Sequence, residues 1–201
     1  DLLTEIPATK LLSAVNNPSD KEIISEKAVN EPIAEINTAI SAAKSVNSKD
    51  ANANLTAGTV LMNSTKTALK QVRDIVGATS TKYQMVADNL AKQILQCGIN
   101  YYNNASDDDV ESPRKAMSLQ AYALQIAIGK LTKDRCQENY DILKKTVDNM
   151  PPAEVAIETR KIKEELRKFC QQPDKISHSI TLLNNTKPLL QTIKAKIGTA
   201  N

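Results

Sequence analysis

Ser80–Tyr102, STKYQMVADNLAKQILQCGINYY, is the stretch that decides the fold. Tyr83, Val86, Leu90, Ile94, Cys97 and Tyr101 recur at intervals of three and four. That spacing lines them up on one face of an α-helix, whereas a strand would scatter them over both faces. Ser80 stands where a helix N-cap is expected.

The same period continues in both directions. Upstream, Leu55, Met62, Leu69 and Val76 repeat every seven residues, with Val72 on the same side and Gly77 placed to end the helix. Ile33, Ile36, Ile40, Ala43 and Val46 form another stripe after Pro32. A short helix with Ile23, Ile24 and Ala28 follows Ser19, which has Glu22 three residues on as in a capping box. Downstream, the polar, acidic Asn103–Glu111 reads as a loop, and Ser112-Pro113 opens a long segment reaching Met150. Its first half, from Met117 to Leu131, is apolar nearly all round and predicts a central, buried helix. The stripe shifts phase before Cys136, which predicts a kink near Gly129.

Eight prolines punctuate these segments, among them Pro7, Pro18, Pro32, Pro113, Pro151-Pro152, Pro173 and Pro188. Proline costs little in the first turn of a helix and about 3 kcal/mol in its interior, so each reads as a helix start. Only five glycines occur, too few for the tight turns of an all-β chain. The expectation is an all-α fold: a bundle of four or five long amphipathic helices with additional short helices at the ends. It predicts one domain over 1–201, with short N-terminal helices over 1–30, the main bundle over 32–172 and short basic C-terminal helices over 173–201.

Composition narrows the function. Apolar residues make up 41% of the chain and aromatics 3%, so the core is aliphatic. A net charge of +3 is too small for a nucleic-acid footprint, and the basic residues lack the aromatic neighbours that stack single-stranded bases. The densest apolar run, Ala121–Ile128, is far short of the roughly 20 residues of a membrane span. From Arg160 onward, nine Lys and Arg face Glu164, Glu165 and Asp174. That excess reads as a solvated helix face or as a cationic surface for an acidic partner or anionic lipid.

Three cysteines leave two readings. They are buried thiols in a reducing compartment, or two of them pair. If the chain folds back at Pro151-Pro152, Cys136 lies 15 residues before the turn and Cys170 lies 18 after it. At about 1.5 Å per residue the two fall within one turn in height, which predicts a Cys136–Cys170 disulfide. Cys97 is then a free thiol or a bridge to another chain. Asn54, Asn63, Asn104 and Asn184 begin N-x-S/T acceptor patterns, mildly more than chance supplies in a chain this rich in Asn, Ser and Thr. With a sequence that opens at Asp1, they point to a mature secreted chain lacking its leader.

Catalytic groups are scarce. His178 is the only histidine and reads as part of a helix surface. No closely spaced cysteines suggest zinc, no glycine-rich loop suggests a nucleotide, and Asp107-Asp108-Asp109 lacks the remaining ligands of a calcium loop. The expectation is a non-enzyme without cofactor or metal. It acts by binding another macromolecule, with no nucleic acid and no transmembrane segment implied. The alternative is a carrier of a small apolar ligand or lipid, with Tyr83, Tyr101, Met117 and Tyr122 as candidate cavity residues. A third class, a lipid-surface protein whose helices open, is disfavoured by a disulfide that would tie them together.

Overall fold

The computed structural model of the chain describes residue 10 and residues 13–106, 109–173 and 175–198. Pro7, Asp107, Asp108 and Asp174, singled out above, lie outside the described residues, as does the Glu22 side chain. Eight α-helices and one 3₁₀ turn are present among the described residues, and no strand. They are α1 (Pro18–Lys44), α2 (Ala51–Ser64), α3 (Lys66–Val76), α4 (Thr81–Asn104), α5 (Ser112–Ile126) and α6 (Lys130–Asp148). The 3₁₀ turn Ala153–Val155 then leads to α7 (Ala156–Cys170) and α8 (Ile176–Gly198). The fold is an all-α helical bundle, as its periodicity dictates.

Contacts divide the chain into two compact units. One draws its described residues from 1–106 and 112–144, the other from 107–111 and 145–201. In the first, α4 is the central helix: it packs on α1, α2, α3 and α5. Its stripe is the core, with Leu90, Ile94 and Tyr101 fully buried. The apolar segment from Met117 to Leu131 does not take that place. Helix α5 ends at Ile126, and the backbone then turns Ile128 and Leu131 outward, Leu131 to 88% exposure.

The expected kink at Gly129 is a full break between α5 and α6. Asp88 of α4 closes it: its carboxylate accepts from the Ile128 N–H at 2.8 Å and the Gly129 N–H at 3.0 Å. Those donors would otherwise be left over at a helix start. A Cβ on residue 129 would run into the Asp88 carboxylate, so any larger residue there must displace that carboxylate. Gly77 ends α3 in the left-handed region at φ 87°, as its position in the sequence suggests.

Two prolines read as helix starts lie inside helices. Pro32 sits within α1 and Pro188 within α8. In each case the buried face runs in register across the proline. Val29, Ile36 and Ile40 are buried on α1, and Leu182, Thr186, Leu189 and Ile193 turn inward on α8. Burial on both sides offsets the lost backbone hydrogen bond. The chain from Pro18 is therefore one long helix through Lys44, and the basic stretch from Ile176 to Gly198 is one helix rather than two. Asn17, not Ser19, caps α1, accepting from the Ser19 N–H at 3.0 Å.

A ladder of amides fixes α2 on α4. Asn54, 2% exposed, donates to the carbonyls of Asn47 at 2.8 Å and Asp50 at 2.7 Å. Its Oδ1 accepts from Asn100 at 3.0 Å, and Asn100 accepts from Gln96 at 2.8 Å. One turn further along α4, Asn104 donates to the Ser48 carbonyl at 3.2 Å. Buried amides need every partner, so this ladder ties the loop before α2 to one position along α4.

In the second unit α7 packs along α8. Lys196 of α8 donates to Glu158 and to the Glu154 carbonyl, both at 2.8 Å, and Asn185 donates to Glu165 at 2.5 Å. Lys196 holds the Glu158 carboxyl below the usual carboxylate range, and Lys168 at 2.8 Å, followed by Asn185, does the same for Glu165.

Candidate binding surface

The cysteines form no disulfide; all three are free thiols. The expected Cys136–Cys170 bridge is absent because height along a helix fixes only one coordinate. Cys136 turns into the core of the first unit and is fully buried, whereas Cys170 is exposed at the end of α7 in the second. Cys97 is a buried free thiol in the α4 stripe. Burial pushes both buried thiols up. The Gln93 amide, 3.7 Å from the Cys97 sulfur, opposes this at Cys97, and Arg135 opposes it at Cys136, where Asp88 adds to the rise. Neither group is a ready thiolate.

Of the four acceptor asparagines, Asn54 is buried with its amide engaged, so this fold has no room for a glycan there. Asn63 and Asn184 are exposed on α2 and α8. Asn104 is exposed as the last residue of α4, with its amide donating to Ser48 and Asn100. The His178 ring Nδ1 donates to the Pro173 carbonyl at 2.9 Å, a local contact at the start of α8. Among the described residues no three His, Cys, Asp or Glu side chains gather as metal ligands.

Tyr83, Tyr101, Met117 and Tyr122 divide between two apolar clusters. Tyr83 and Tyr122 flank the main core, where burial, and then Tyr83, push the Tyr122 hydroxyl up. Tyr101 is fully buried, with Met117 beside it, in a smaller cluster with Ala116 and Leu143. A groove of about 510 Å³ between α1 and α2 is lined by small apolar side chains, including Ala39, Ala43, Ala57 and Val60, with Asp50 and Thr56 among its polar groups.

Helix α8 carries more exposed large hydrophobic side chains than any other helix among the described residues. Ile176, Ile180, Leu183, Leu190 and Ile197 are between 48% and 82% exposed. Lys187 and Lys194, also exposed, stand in the same row, and α8 carries no carboxylate. The inward residues Leu182, Thr186, Leu189 and Ile193 lie on a different side, so α8 is apolar twice over: once towards α7 and once towards solvent. The row was visible in the sequence as the spacing 176, 180, 183, 187, 190, 194, 197. Reading Pro188 as a helix start cuts it in half and hides it. No helix of the described residues is long and apolar enough to cross a membrane.

Comparison with known proteins gives no match: no family model fits the chain, and no curated protein or solved structure is significantly similar to it.

Proposed function

We propose that this chain is a non-catalytic binding protein, secreted or surface-exposed, that takes a macromolecular partner on the outward side of α8. The observation that carries this reading is the row of five exposed large aliphatic side chains on one helix. Scattered apolar residues are normal on a surface, but a contiguous row bears an unfavourable hydration free energy that a partner removes. The lysines within the row and the absence of carboxylates on α8 add a charge preference. The exposed acceptor residues Asn63 and Asn184 support an extracellular location.

A photo-crosslinking residue at position 183, introduced into the full chain in its natural source, tests this directly. A macromolecular adduct at 183, and none from the exposed position Thr67 on α3, is the expected result. No adduct at 183 overturns the reading.

The second reading, a carrier of a small apolar ligand, is favoured by the α1–α2 groove. Its signature is extra mass in the native chain that denaturation removes and a Val60→Glu substitution abolishes. A glycosidase-sensitive mass at Asn63 or Asn184 is the matching check on secretion.

A further inference from the structure

The row on α8 has a period as well as a composition. Ile176, Leu183, Leu190 and Ile197 recur every seven residues, with Ile180, Lys187 and Lys194 between them. The resulting 4-3 spacing is unbroken from one end of the helix to the other. It is the spacing of a coiled-coil seam: a narrow stripe with two Ile and two Leu at the d positions and Ile180, Lys187 and Lys194 at a. Pro188 stands beside this seam and not in it. The exposed residues beside the row, Ser177, Ser179, Asn184 and Gln191, carry no charge, so the only charges a partner meets along the seam are Lys187 and Lys194. Among the described residues neither lysine has an ion-pair partner within the chain.

We infer that the partner is an acidic amphipathic helix of another protein, which pairs with α8 as a coiled coil and places carboxylates against Lys187 and Lys194. This inference rests on the reading that α8 is the binding surface and adds the chemistry of what binds it. Three occupants compete for such a row. A lipid-bound helix keeps its cations on the polar face and its margins, with Trp or Phe among the apolar residues. Here the cations interrupt the apolar stripe, and α8 has no Trp, Phe or Tyr. A second copy in parallel would set lysine against lysine, and in antiparallel would bury each ammonium among aliphatic side chains. Both arrangements are penalised. A helix with Glu or Asp at the facing positions satisfies the lysines and covers the aliphatic row together.

The test uses the full chain and a synthetic helical peptide of about three heptads. The peptide has Leu along its seam and Glu opposite the two lysines; a control peptide has Lys in place of Glu. Vesicles of phosphatidylcholine with phosphatidylserine, and sedimentation of the chain alone, are run in parallel. The expected result is binding of the acidic peptide about tenfold or more tighter than the control, weakened by salt. In a K187E/K194E variant that preference reverses, and in a L183D/L190D variant with unchanged helicity binding disappears. Equal binding of both peptides, binding of neither, vesicle binding that the peptides do not displace, or concentration-dependent self-association each overturns the inference. The reading it rests on fails separately: an adduct at position 183 in the natural source, alongside a failed peptide, removes the acidic helix and keeps the surface, whereas no adduct removes both.

Discussion

The two units of this chain solve the same problem differently. The first surrounds α4 with four other helices and buries Leu90, Ala91 and Ile94 completely. The second is a helix pair with a 3₁₀ turn, and among the described residues only Val155 and Ala156 are buried apolar side chains there. It also holds seven of the thirteen exposed large apolar side chains among the described residues. Two helices cannot enclose a core, so much of their apolar surface stays outside, and the contacts of Glu158, Glu165 and Lys196 add to the partly buried Leu182, Leu189 and Ile193 between them. Buried apolar contact is concentrated in one unit and exposed apolar surface in the other, the division that the proposed binding role calls for.

That contrast can be broken most forcefully in the first core. Leu90→Ala should destabilise the first unit by about 2–5 kcal/mol, because a fully buried side chain leaves a cavity in a tightly packed helix junction. The five tyrosines, Tyr83, Tyr101, Tyr102, Tyr122 and Tyr140, all belong to the first unit, so tyrosine fluorescence follows it alone while far-ultraviolet circular dichroism follows both. The tyrosine midpoint in urea should fall sharply; a coincident fall of the whole dichroism curve would show the units to be a single cooperative body.

Gly129→Ala should cost about 1–3 kcal/mol in the same assay, since the added methyl must displace the Asp88 carboxylate from its two backbone donors. Acid should act on the other unit. The Glu158 and Glu165 carboxyls lie below their ordinary values, so their contribution is present above the usual carboxylate range and is lost as pH falls through their lowered values. Below about pH 4.5, helical dichroism should decline before tyrosine fluorescence changes; simultaneous loss would contradict it. The smallest effect is expected at Leu183→Ser, within about 0.5 kcal/mol by urea unfolding, because an exposed side chain contributes little to the isolated fold. A larger loss would mean that the row on α8 is covered by the chain itself.

Much of the fold was legible because burial follows period. Tyr83 to Tyr101 could be read as one helix face from spacing alone, and the buried stripe of α4 lies there. The prolines misled for a definite reason: local cost is not decisive when a buried face continues across it, as Val29 and Ile36 do around Pro32. The cysteines misled because spacing gives height along an axis but not which side of the helix a residue faces. The row on α8 was available from composition and spacing, yet only a helix continuous through Pro188 brings its two halves onto one surface. The groove between α1 and α2 left no sequence signal, since a run of alanines reads alike whether neighbouring helices close over it or stand apart.

The amide ladder between α2 and α4 has a consequence for how freely this sequence can change. A bundle with almost no aromatic side chains is built from interchangeable pieces, and one aliphatic surface slides on another with little preference for position. Asn54, Asn100 and Asn104 remove that freedom: a shift of α2 by one turn would strand several amides at once without partners. The ladder works as an index mark. The aliphatic lining around it can drift through Leu, Ile, Val and Met in many combinations and still find the same alignment, provided those few amides stay where they are.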